Sequence, residues 1–208
     1  MKRSPLAVLL GVALVILVAA PAYAVFAGRH TWFQAKTSIY GDCPGSFATW
    51  SGPYGGVLVL DDECTDPSVS ADATIHVRPR CSADNENMSC YFSKGGLTAL
   101  GFDHKIGTYC QGGAPGWDVE APGGNVWRFA CSGGTHTPLS WAPGWERITF
   151  GVSDAQQLAG ATPFAFDGSI KPFFMQVLQD EQGCTELDNL RINGVLIKRG
   201  AAGSHATC

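Results

Sequence analysis

Apolar positions in this chain come in short runs rather than helical stripes. Beyond residue 25, no stretch keeps apolar residues at i, i+3, i+4 and i+7 over three turns. The best helical candidate is Ser153–Ala159, with Ser153 as its cap and Gly160 as its stop, and it is only two turns long. Strand signals are frequent. Gly56–Leu60 follows a Gly-Pro-Tyr-Gly turn, and Ala73–Arg78 alternates apolar and polar residues. Leu97–Phe102, Asn125–Ala130 and Arg147–Val152 continue the series, and Phe173–Leu178 is almost continuously apolar, as in a strand covered on both sides. Leu187–Ile192 and Val195–Lys198 flank Asn193-Gly194, the dipeptide that best supports a type I′ hairpin, because both turn positions need positive φ. Short strands at irregular spacing predict an all-β fold, a β-sandwich of the jelly-roll kind.

The first residues differ from the rest. Lys2 and Arg3 precede an uncharged apolar run over 6–20, Pro21 ends it, and Ala22-Tyr23-Ala24 supplies small residues for a peptidase. This is the pattern of a signal-peptide helix over 1–24, too short to span hydrocarbon comfortably. Cleavage after Ala24 leaves 25–208 as a single domain in a secreted or periplasmic location. If the segment is not cleaved, it is the one membrane contact the sequence offers.

Cysteine and charge sharpen this picture. All eight cysteines (Cys43, Cys64, Cys81, Cys90, Cys110, Cys131, Cys184 and Cys208) follow the apolar segment. An even number in an exported chain predicts disulfides. The absence of any C-x2-C pair argues against zinc. Nearest-neighbour pairing is expected: 43–64, 81–90, 110–131 and 184–208. The last bridge would tie down a Gly/Ala/Ser-rich tail. Charged residues make up only 15% of the chain, with a net charge of −4, so no basic surface exists to bind nucleic acid.

Towards the C-terminus, Trp145-Glu146-Arg147-Ile148-Thr149-Phe150 is followed by Val152-Ser153-Asp154. Asp167-Gly168-Ser169-Ile170-Lys171, the run Phe173–Leu178 and Leu187-Asp188-Asn189-Leu190-Arg191-Ile192-Asn193-Gly194 come next. Over 141–198 this order resembles the closing strands of bacterial galactose-binding-like jelly rolls, a fold shared by many carbohydrate-binding modules. The resemblance implies a glycan partner and a structural calcium, with Asp188 near the strand start as one ligand. Asp61 and Asp62, in the run Asp61-Asp62-Glu63, are further candidates, since calcium takes about six to eight oxygens. The plainer alternatives are a turn cap at Asp188 and a solvated loop at 61–63. Simple alternation over the closing strand would turn Asp188, Leu190 and Ile192 to one side, with Leu190 and Ile192 in the core.

Among the six tryptophans, Trp127 and Trp145 sit in strand patterns and read as core. Trp50, Trp117 and Trp141 lie in Gly/Pro/Ser-rich contexts. With Tyr54, they are the candidate aromatic platform for a sugar face, or else lids over the core edge. Asp118 and Glu120 form one conceivable carboxylate pair for glycoside hydrolysis, with two solvated acids as the alternative. No nucleophile elbow or H-E-x-x-H motif is present, and His104 and His136 read as local hydrogen-bonders. The expected function is a secreted or periplasmic, non-catalytic glycan-binding module. A cell-surface structural, adhesion or appendage protein is the first alternative, and a hydrolase is the second.

Overall fold

In the computed structural model, the described residues are 33–51, 56–66, 68–77, 88–89, 91–92, 95–197 and 207–208. The expected signal segment 1–24, Tyr54, Cys81 and Cys90 lie outside them. All described residues belong to the unit Thr31–Cys208.

The short apolar runs become strands in two antiparallel sheets. The first sheet has the order β1 (Phe33–Tyr40), β4 (Ser70–Val77), β11 (Phe174–Gln179), β6 (Gly116–Ala121), β7 (Asn125–Ala130) and β10 (Gln156–Ala159). The second runs β2 (Phe47–Ser51), β3 (Val57–Asp62), β12 (Gly183–Ile192), β5 (Leu100–Lys105), β9 (Trp145–Thr149) and β8 (Thr135–Pro138), and β13 (Val195–Leu196) pairs with β12. Take β3, β4, β5, β6, β7, β9, β11 and β12 as the central eight. One sheet then reads first, eighth, third, sixth, and the other second, seventh, fourth, fifth. That is jelly-roll connectivity, and β1, β2, β8 and β10 widen the sheets by one strand at each edge.

Period-2 alternation builds the core. Trp117, Val119 and Ala121 of β6 point inward, as do Trp127 and Phe129 of β7 and Met175 and Val177 of β11. They meet Leu58, Leu60, Phe102, Ile148 and Leu187 of the other sheet. Full burial of each such side chain contributes roughly 1.5–3 kcal/mol. Phe129, Phe150, Phe164 and Trp127 interlock mainly edge-to-face beneath β7.

Three expected disulfides are present: Cys43–Cys64, Cys110–Cys131 and Cys184–Cys208. They indicate an oxidising compartment. No helix among the described residues is long and apolar enough to cross a membrane. The Asn193-Gly194 hairpin also forms, with φ of 52° and 73° and Ile192 opposite Val195.

Two local expectations are corrected. Ser153–Ala159 is not a helix, because Val152–Asp154 makes one 3₁₀ turn and Gln156–Ala159 is strand β10 beside β7. Two turns do not repay helix nucleation when a sheet edge is available. The closing strand also changes phase. Asp188 lies opposite Asp103 and Arg191 opposite Gly101, so one extra residue is inserted between them, and Asn189 takes φ of 48°. Leu187, Leu190 and Ile192 all reach the core in consequence, and Asp188 faces away from it.

Candidate functional site

Of the expected aromatic platform, two members are withdrawn into the core, and Tyr54 lies outside the described residues. Trp50 is in β2 and Trp117 in β6, 2% and 0% exposed, so neither ring can receive a ligand. At Trp117, Pro115-Gly116 leads straight into β6, whose alternation turns the indole inward. Among the described candidates only Trp141, between β8 and β9, is open, at 66% exposure. Trp127 is core as expected, and Trp145 is half-buried.

The expected calcium ligands separate as well. Asp61 and Asp62 end β3, and with Glu63, Gln182 and Cys184 they line a cavity of about 280 Å³. Asp188 lies four residues along β12 from Cys184, the partner of Asp61, hence roughly 13 Å away. Burial first, then the charges of Glu63 and Asp62, push the Asp61 carboxyl up. Asp62 accepts bonds from the Ser46 hydroxyl and the Cys64 amide. These oxygens suit a hard cation in kind but fall short of a full shell in number. His104 and Asp62 each approach two sulfurs, but those sulfurs belong to disulfides and offer no thiolate.

The outward face of the first sheet brings together polar residues that no local motif announces. Lys36 is opposite Thr74, Thr74 opposite Gln176, Gln176 opposite Asp118, Asp118 opposite Arg128, and Arg128 opposite Gln156. A single row of hydrogen-bonding side chains thus crosses all six strands. At about 4.8 Å per strand step, it spans roughly 24 Å. The rows on either side of it along the strands that point inward are apolar at their centres: Ala35 and Ile75, Met175, Val119 and Trp127 on one side, Ala73, Val177, Trp117 and Phe129 on the other. Phe174 and Glu120, a cross-strand pair, flank the polar row on the outward side, and Tyr40 stands 70% exposed at the edge strand.

Electrostatics organise the middle of the row. Arg128 donates from Nε to Asp118 Oδ1 at 2.8 Å and from Nη2 to Oδ2 at 2.9 Å, and its third nitrogen reaches Asp180. This fork occupies both Asp118 oxygens. It raises the Arg128 pKa, chiefly through the Asp118 hydrogen bonds. Glu120 faces outward two residues away. Burial, and then the Asp118 charge, push its carboxyl above the usual range. Asp118 and Glu120 therefore share a face, but the former is held by an arginine rather than left free to act as nucleophile or base.

On the outward face of the second sheet Asp103 and Glu186 are internally paired, whereas the half-buried Arg191 leaves its Nε without a hydrogen-bond partner among the described residues. Arg147 donates to both Asp103 oxygens at 2.8 and 3.1 Å, and Asn189 adds a bond to Asp103 at 2.9 Å. Lys105 donates to both Glu186 oxygens at 2.9 and 2.8 Å, and the Cys208 amide donates to Glu186 at 3.1 Å. At the end of the sandwich, His104 and His136 both contact Glu146 at 3.0 Å, and His136 also meets the Cys131 carbonyl. Both histidines are local hydrogen-bonders, as expected.

Sequence reading missed Lys36, Thr74, Gln176, Gln156, Tyr40 and Phe174. The available signal was alternation: Phe33, Ala35, Thr37 and Ile39 against Gln34, Lys36, Ser38 and Tyr40. It is weak because Ala and Thr mark an inward face faintly. No family model matches the chain, and no curated protein or solved structure is significantly similar to it.

Proposed function

We propose that the protein is a secreted or periplasmic, non-catalytic glycan-binding module whose ligand lies along the outward face of the first sheet. The observation that carries this reading is the row Lys36–Thr74–Gln176–Asp118–Arg128–Gln156. A sugar chain presents hydroxyls at regular intervals, and a ladder of amide, hydroxyl and charged groups on a rigid sheet answers them. Phe174 and Tyr40 supply apolar surface for the C–H faces of sugar rings. The resemblance of 141–198 to galactose-binding-like modules agrees with this reading, and so does the jelly-roll connectivity. The Arg128 fork on Asp118 favours binding over hydrolysis, because it removes one of the only two carboxylates proposed for catalysis.

The test is retention on insoluble polysaccharides and a glycan array. The double variant Tyr40→Ala/Gln176→Ala is expected to lose retention, whereas Trp141→Ala, on the other sheet's margin, keeps it. Retention unaffected by the double variant, or abolished by Trp141→Ala alone, sinks the assignment.

A further inference from the structure

The balance of charge on this face narrows the ligand. Arg128 is the only cation in the middle of the row, and two carboxylates, Asp118 and Asp180, already surround it. Glu120 adds a third carboxylate, half-buried, with no hydrogen-bond or ion-pair partner for its side chain among the described residues. Among the described residues, the face's other lysine or arginine, Lys36, stands at the far edge strand, three strands from Asp118. The centre of the face therefore carries excess negative charge.

A polyuronate or sulfated glycan would bring like charge against these carboxylates, a repulsion that selects against it. A neutral glycan would meet the amides and hydroxyls but would further desolvate Glu120 without compensating its charge. Phe174 lies directly across the strand pair from Glu120, so an aromatic ring and a carboxylate stand side by side. An ammonium group is attracted to both, by charge to the acid and by the ring quadrupole. Resting on the glycan reading above, we infer that this face selects a glycan carrying protonated amines, the class of glucosamine-type amino-sugar polymers.

Calorimetric titration of the full chain with three oligosaccharides tests this. They are a tetramer of glucosamine with its amines protonated, the same tetramer N-acetylated, and a galacturonate tetramer. The glucosamine tetramer is expected to bind at least roughly tenfold more tightly than its acetylated counterpart, the scale of one charge-assisted hydrogen bond. In Glu120→Gln that ratio should fall towards one, with thermal melting confirming that the variant is folded. Binding of the acetylated tetramer with no preference for the amine form overturns the inference and leaves the glycan reading standing. So does a preference that survives Glu120→Gln, or tight binding of the uronate. Failure of all three to bind overturns both.

Discussion

On the outward side of the second sheet, Asp103 and Glu186 are 1% and 3% exposed, and each already holds a cation of its own chain. On the outward side of the first sheet, Lys36 and Gln156 are exposed and Gln176 and Glu120 half-buried, and none of them has a charged partner among the described residues. Both faces use acids, amides and bases on similar strands. What separates these residues is whether their hydrogen-bonding capacity is consumed within the chain. Groups satisfied within the chain, such as Asp103 and Glu186, add stability and offer little to a ligand. A face with unspent donors and acceptors does the reverse.

The largest effect should come from opening the closed face. Asp103→Ala strands Arg147 and Asn189, and removing one member of a buried pair costs about 3–5 kcal/mol. Urea denaturation should show that loss as a lower midpoint with an unchanged slope. Next, Cys184→Ser/Cys208→Ser removes the bridge that seats residue 208 beside Glu186. By the entropy of closing a loop of this size, it should cost about 3 kcal/mol while the proposed glycan retention persists. Loss of retention with an intact fold would mean that the two faces are coupled after all.

The smallest effect belongs to the open face. Because the folded-state pKa of Glu120 is raised, its contribution is most favourable at low pH and declines as pH rises through that value. Glu120→Gln should therefore leave thermal stability unchanged in acid and raise it slightly near neutrality, as measured by melting across pH. A drop in neutral stability would mean that Glu120 is structurally paired, and the contrast between the faces would fail.

Much of the scaffold was legible because its signals are local. Asn193-Gly194 specifies its own turn, Phe173–Leu178 announces a covered strand, and Cys110 and Cys131 pair with the nearest partner. The outward polar row was not legible, because Lys36, Gln176 and Gln156 are neighbours only through five inter-strand registers. No window of sequence contains that information. Trp117 shows how context misleads: Pro115-Gly116 reads as a loop, yet Trp-Asp-Val-Glu-Ala after it alternates cleanly into the core and out again. The phase change at Asn189 was equally hidden, since a bulge is one residue of surplus against a partner that the sequence does not name.

The connectivity also sets a schedule for assembly. β11 and β12 occupy the middle of their sheets, between strands made much earlier, so that Gln176 joins Thr74 and Thr185 joins Leu60. Until those two late segments arrive, each sheet is two fragments with raw edges facing one another across a gap. Such a topology folds slowly and as a unit. A polypeptide halted before residue 174 would therefore be adhesive rather than merely incomplete.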